Sequence, residues 1–236
     1  MGTKYYSGLK NTKKTAKIGD ELSFASKEAY NLLRTNISFA FPDHEGGKVI
    51  GVSSACPQEG KSTTAINLAY SLADGENCVL LIDGDMRRPS ISFALDVDMM
   101  PGLSNMLAKN EEVKINKGVL QEKLDVITSG DIPPNPSELI GSQKMKEFLD
   151  ECREKYDYVI LDLPPVLSVA DALAVSKFID GVVIVVRHNS VKRRDIVETI
   201  RQLEYANAKV VGFVYNKIES AGGKGYYKAS KYYKKS

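Results

Sequence analysis

Cysteine is scarce. The three present are an odd number at spacings that match no metal or redox pair, which argues against a disulfide framework and for a reducing compartment. Long hydrophobic runs are missing too: the longest, such as "GVVIVV" at Gly181 to Val186, fall far short of the roughly 18 residues of a bilayer-crossing helix. The opening "MGTKYYSGLKNTKKTAK" is polar and basic and so offers no apolar secretion segment, and Tyr6 stands where a myristoylation signal needs a small hydroxyl residue. A net charge of only +2 gives no basis for strong or specific nucleic-acid binding. A cytoplasmic protein is the simplest expectation. What is present suffices for one large domain, since 236 residues with 43% hydrophobic content can build a proper core.

Organisation follows from the changing period of the apolar residues. Residues 1–19 lack periodicity and read as a flexible basic arm, 20–220 as a single domain, and 221–236 as a polar tail. Leu22, Ala25, Ala29, Leu32, Leu33, Asn36 and Ile37 fall near helical spacing, which predicts an amphipathic helix over 20–41, before Pro42. Strands are then predicted at "KVIGVSS", "CVLLID", "LDVITS", "YDYVILDL", "GVVIVVR" and "KVVGFVYN", with helices over 61–73, 136–156, 168–178 and 190–206. The strands are continuous Val/Ile/Leu runs, not alternating ones, so both faces are buried. This predicts an α/β, doubly wound, mostly parallel sheet with helices on both faces, of P-loop NTPase type, whose ligand sits beyond the carboxyl ends of its strands.

Between the first strand and the following helix lies "SACPQEGKSTT", from Ser54 to Thr64. Gly60-Lys61-Ser62 supplies the second half of a phosphate-binding loop, while Ala55 stands where the first glycine of that pattern would be. Backbone N–H groups from Gln58 through Glu59, Gly60 and Lys61 to Ser62 are placed to converge on phosphate oxygens at a positive helix end. Lys61 would reach the β and γ phosphates, Ser62 would ligate Mg²⁺ and Thr63 would donate to the α phosphate. Two other strands end in carboxylates, Asp83 and Asp85 in "LLIDGDMRR" and Asp162 in "YVILDLPP". Buried carboxylates need compensation, which a Mg²⁺ shared by Ser62, Asp83 and Asp162 would provide, directly or through water.

These residues carry a resemblance. "ACPQEGKST", "VLLIDGDMRRP" and "VILDLPP" resemble the Walker A, A′ and B motifs of the bacterial tyrosine kinases of capsule and exopolysaccharide synthesis, and "EAYNLLRTNISFA", "GDIPPNPSELI" and "DGVVIVVRHNSV" resemble further family segments. The resemblance covers nearly the whole chain from Glu21, and is to the short Gram-positive type whose membrane-spanning activator is a separate polypeptide. It implies an ATP- and Mg²⁺-dependent protein-tyrosine kinase recruited by that activator's cytoplasmic tail to the inner face of the membrane. It further implies a cognate tyrosine phosphatase, and polysaccharide-synthesis enzymes as substrates. By the same resemblance Asp83 lies near Mg²⁺, Asp85 accepts or orients the tyrosine proton, and Asn216 lies close to the base. Arg87, the arginine of the same motif, stabilises phosphate charge, braces the two aspartates or plays a structural part, and the sequence does not choose among the three. The family's ring contact, Glu-x-x-Arg-x-x-Arg, is met here by Glu28, Asn31 and Arg34, which implies a homo-oligomer, an octameric ring in the family, with one arginine replaced. Gln58 departs from a position that is commonly glycine.

The tail gives the kinase a substrate. Tyr226, Tyr227, Tyr232 and Tyr233 come in two pairs among glycines and five lysines, a composition that predicts disorder. Sixteen residues reach roughly 50 Å extended, or about 20 Å as a coil, enough to enter a neighbouring subunit's site for phosphorylation in trans. Three other readings share the loop. A ParA/MinD-type positioning ATPase carries a lysine where Cys56 stands; a GTP switch reads guanine through Asn-Lys-x-Asp, where "NKIE" has Glu219; a nucleotide-binding scaffold would have no turnover at all.

Overall fold

The computed structural model describes residues 17–42 and 46–217. The four tail tyrosines, and most of the expected basic arm, lie outside the described residues. Lys17 to Gly19, expected in that arm, are docked instead: the Gly19 N–H donates to Asn67 Oδ1 at 2.9 Å, and Asn67 Nδ2 donates to the Lys17 carbonyl at 3.2 Å.

A 3-10 turn, Gly19–Glu21, precedes helix α1, Phe24–Ala40, whose start is set by the Ser23 hydroxyl accepting the Ser26 N–H at 3.2 Å. Only part of the expected apolar face turns inward. Leu33 and Ile37 pack on the core, whereas Ala25, Ala29, Leu32 and Asn36 are exposed, because α1 rests on the core through only one edge of the expected arc, the side that carries Leu33 and Ile37.

Six strands follow: β1 Lys48–Ser54, β2 Val79–Asp83, β3 Leu124–Ile127, β4 Tyr158–Asp162, β5 Gly181–Arg187 and β6 Val210–Asn216. They form one sheet in the order β3-β2-β4-β1-β5-β6, and every neighbouring pair is parallel. Each crossover carries helices: α2 Lys61–Asp74, α3 Ile91–Leu95, α4 Leu103–Lys109, α5 Pro136–Ile140, α6 Gln143–Lys155, α7 Asp171–Val175 and α8 Arg193–Tyr205. Two of these differ from the single helix expected over 136–156. Gly141 ends α5, and the Ser142 hydroxyl accepts the Met145 N–H at 3.2 Å to begin α6.

The sheet is buried on both faces by two apolar clusters. Ile50, Val52, Leu81 and Ile160 meet α1, α2 and α3, while Val49, Leu80, Val159 and Leu161 meet α4 to α8. Full burial of each such side chain contributes about 1.5–3 kcal/mol of transfer free energy. Because β1 is flanked by β4 and β5, the loop that leaves it emerges at the centre of the sheet's carboxyl rim.

Candidate active site

The loop between β1 and α2 is shaped by two left-handed residues. Gly60 has φ +93°, and a Cβ there would come within 2.1 Å of Asn216 Nδ2, so only glycine fits. Gln58 has φ +65°, a strained conformation for a side chain and the physical reason why glycine suits that position. The first helical bond runs from the Thr64 N–H to the Gly60 carbonyl at 2.9 Å, which leaves the N–H groups of Lys61, Ser62 and Thr63 at the positive end of α2 without intrahelical acceptors. The buried Glu59 side chain points into the loop: its carboxylate accepts the Cys56 N–H at 2.6 Å and the Arg187 N–H at 3.4 Å. Burial raises its pKa, partly offset by those two N–H groups.

Strand period and register bring the carboxylates under this loop. Asp83 shares a face with Leu81, and Asp162 with Ile160, the face covered by α2, and the two are direct neighbours across β2 and β4. Gly84 permits that approach, since its N–H donates to the Asp162 carbonyl at 2.9 Å and a Cβ would meet that same oxygen at 2.8 Å. Lys61 lies between the acids, with Nζ 2.8 Å from Asp85 Oδ2, 3.5 Å from Asp162 Oδ1 and 3.3 Å from Ser62 Oγ. Burial alone would depress the lysine's pKa. The carboxylates of Asp162, Asp85 and Asp83 more than offset this and raise it to about 12.

Asp83 is 0% exposed, and burial, reinforced by Asp162, pushes its pKa up, opposed by the N–H groups of Ile91 and Ser90, each 3.0 Å from Oδ2. The Asp85 N–H reaches Asp83 Oδ1 at 3.2 Å. Asp162 is also 0% exposed with its pKa raised by burial, and its Oδ2 has no hydrogen-bond partner among the described residues. An orphaned buried carboxylate oxygen beside a serine hydroxyl is the arrangement a hard cation satisfies. Among the described residues, no group of three or more His, Cys, Asp or Glu could hold a metal unaided.

A cleft of about 530 Å³ opens over these groups, lined among others by Gln58, Gly60, Lys61, Ser62, Thr63, Asp85, Arg87 and Arg88. Asn216 reaches the loop from β6, its Nδ2 donating to the Glu59 carbonyl at 2.8 Å and its Oδ1 accepting the Lys217 N–H at 2.8 Å. Arg87 does not brace Asp83 and Asp85. Its guanidinium grips Asp171 with two bonds of 3.0 and 3.1 Å and Ser137 Oγ at 3.0 Å. Asp171 is 1% exposed and needs this cation at the start of α7, whereas Asp85 already has Lys61 and Asp83 already accepts three backbone N–H groups. Neither Asp171 nor Ser137 was singled out from the sequence; the acid opening a helix after "SVA" was the available signal.

The helix trio lies apart from the cleft. Glu28 is exposed and accepts from Asn31 Nδ2 at 3.2 Å, Asn31 Oδ1 accepts from Ser71 Oγ at 3.2 Å, and Arg34 donates to the Ser71 carbonyl at 2.6 Å. Asn31 and Arg34 therefore bind the end of α2 in the same chain. Among the described residues no helix is long and apolar enough to cross a membrane.

Fold and loop together define a nucleotide-binding α/β domain, and residues 47–211 match the family model described as an AAA domain. Over 205 residues the chain is 40% identical to the tyrosine-protein kinase YwqD of Bacillus subtilis, covering 86% of each protein. It is 34% identical over 198 residues to the tyrosine-protein kinase ptk of Acinetobacter johnsonii, where it spans 83% of this chain but only 27% of that longer protein. Among solved structures, the chimerical protein CapA2B2 is similar at 36% identity and TM-score 0.75, over 82% of this chain and 85% of that one. The kinase domain of the Escherichia coli tyrosine kinase ETK is similar at 31% identity and TM-score 0.75, over 85% and 80%. The chain belongs to the bacterial tyrosine-protein kinases. That family, and not the positioning ATPases or GTP switches, is therefore the frame for its chemistry. Cobyrinic acid a,c-diamide synthase of Mycobacterium smegmatis, solved with an ATP analogue and magnesium, shares only the fold at 18% identity and TM-score 0.64 over 74% of each chain.

Proposed function

We propose that the cleft binds ATP with Mg²⁺ and transfers the γ-phosphoryl group to tyrosines of the chain's own C-terminal segment, Tyr226, Tyr227, Tyr232 and Tyr233, in trans within an oligomer. The observation that carries this reading is Lys61, buried between Asp85 and Asp162 at the mouth of a phosphate loop. Residues of the loop, from Gln58 to Thr63, cradle the phosphates with backbone N–H groups, and Lys61 follows the β and γ oxygens. As it does so it loosens its hold on Asp85, whose carboxylate then receives the phenolic proton; a phenol with pKa near 10 needs such an acceptor. Ser62 Oγ and Asp162 Oδ2 would hold the cation directly. Asp83, with both oxygens already taken by N–H groups, suits a water-bridged role. Mg²⁺, when bound, neutralises charge on the β and γ phosphates. Asn216 keeps the loop against β6 and stays close to the base.

Partners follow from the family: a membrane-spanning activator whose cytoplasmic tail recruits the kinase to the inner membrane face, a cognate tyrosine phosphatase, and polysaccharide-synthesis enzymes as further substrates. Self-association would use α1. With Asn31 and Arg34 engaged within the chain, its contact surface is Glu28 and the exposed Phe24, Leu32 and Phe39. Each phosphotyrosine adds about −1.5 to −2 charges, so a phosphorylated tail is repelled by Asp83, Asp85 and Asp162 and leaves the neighbour's site. The test is a phosphotyrosine mass map of the full chain after incubation with MgATP and the activator peptide, beside Lys61→Met. Modified tail tyrosines in the wild type alone support the reading; unmodified tyrosines in both sink it.

A further inference from the structure

The structure leaves the transferring phosphate without the arginine that the sequence offered for it, because Arg87 is committed to buried Asp171 and to Ser137. Drawing it away would strand an acid that is 1% exposed. The next residue has no such tie. Arg88 is exposed, lines the cleft together with Lys61, Ser62 and Asp85, and its guanidinium has no ion-pair or hydrogen-bond partner among the described residues.

Its backbone is fixed all the same. The Arg88 N–H donates to Asp85 Oδ1 at 3.0 Å and to the Asp85 carbonyl at 3.2 Å, closing a tight turn on the proposed proton acceptor. Two residues later, the N–H groups of Ser90 and Ile91 are locked onto Asp83 Oδ2. A free guanidinium thus stands on a rigid six-residue strap, anchored at both ends to the two aspartates of β2's end. Ser90 Oγ, buried and without a partner among the described residues, faces the same cleft.

We propose that Arg88, and not Arg87, is the catalytic arginine: its guanidinium contacts the γ-phosphoryl group during transfer and neutralises the charge that spreads over its oxygens. The inference rests on the phosphoryl-transfer reading above. In the step, the phenolic oxygen bonds to the γ phosphorus as the bond to the β–γ bridging oxygen breaks. ADP departs, the phenolic proton passes to Asp85 and then to water, and Arg88 stays protonated throughout. The planar fork suits this task, since its several N–H donors match phosphoryl oxygens better than a lysine's point charge.

The test compares the full chain with Arg88→Ala and Arg88→Lys. Two affinities are measured with Mg²⁺ by a fluorescent nucleotide, for ADP and for ADP with fluoroaluminate, a mimic of the phosphoryl group in flight, next to the phosphotyrosine rate with activator peptide. Arg88→Ala should bind ADP within twofold of wild type yet lose at least ~10-fold of the tightening that fluoroaluminate gives, and its rate should fall by ~100-fold or more, with millimolar guanidinium restoring part of it. Arg88→Lys should fall between. Undiminished fluoroaluminate tightening in Arg88→Ala, or an equal loss of ADP affinity, overturns the assignment. Wild type that makes no phosphotyrosine while its fluoroaluminate tightening still depends on Arg88 overturns the tyrosine reading and leaves Arg88's role standing.

Discussion

Gly60 is where the loop and the last strand meet, and replacing it by alanine separates two costs. A left-handed backbone carries about 1–2 kcal/mol for a residue with a Cβ, reduced by up to about 1 kcal/mol because alanine narrows the unfolded chain's freedom. The new methyl also lands 2.1 Å from Asn216 Nδ2, so that amide must swing away and lose its 2.8 Å bond to the Glu59 carbonyl. Such a bond contributes about 0.5–1.5 kcal/mol. Gly60→Ala should therefore destabilise by roughly 2 kcal/mol in the parent. In an Asn216→Ala background, where the obstructing amide is gone, it should cost only the backbone part. Urea unfolding of the four proteins, with m-values checked for constancy, gives a coupling of about 1 kcal/mol, above the 0.3–0.5 kcal/mol scatter of independent sites. Fluorescent ATP titration should show the same ordering. If Gly60→Ala costs as much with Asn216 removed as with it present, the latch between β6 and the phosphate loop does not exist as described.

Arg87→Ala should lower the melting temperature by several degrees, since it leaves Asp171 buried and unpaired, and the double variant Arg87→Ala/Asp171→Ala should recover part of the loss; a double variant less stable than Arg87→Ala alone contradicts the brace. Glu59 titrates near 4.5 when unfolded and higher in the fold. Above pH 4.5 the folded state then holds more protons than the unfolded one, and this group's contribution to stability falls as pH rises through the folded value. Melting curves of wild type and Glu59→Gln between pH 4.5 and 8 should show the difference shifting in favour of Gln with pH; a constant difference removes Glu59 from the account.

Much of this architecture could be read in the sequence because buried parallel strands announce themselves: each of the six runs of Val, Ile and Leu became a strand, and β1 matches "KVIGVSS" from end to end. The phosphate loop was equally legible from Gly60-Lys61-Ser62 between a strand and a helix. Short helices were not. Ile91–Leu95 and Leu103–Lys109 complete too few turns for a period to emerge, and their placement depends on contacts with Asp83, Thr128 and Ser129. Side-chain direction was the other blind spot. Nothing in "MRRP" tells which arginine turns toward Asp171, a residue 84 positions further along the chain, and nothing in the spacing of the apolar residues tells which edge of the α1 arc, Leu32's or Leu33's, meets the core.

The strand order also bears on how the chain matures during synthesis. Strand β1 emerges first from the ribosome, yet its two partners are β4 and β5, so its hydrogen-bonding edges stay bare until residues Tyr158–Asp162 have been made. Meanwhile β2 and β3 can already zip together, which leaves the phosphate loop's own strand as the straggler. A product cut short before residue 158 would present that sticky ribbon to any neighbour, and the cell must shield it or degrade it.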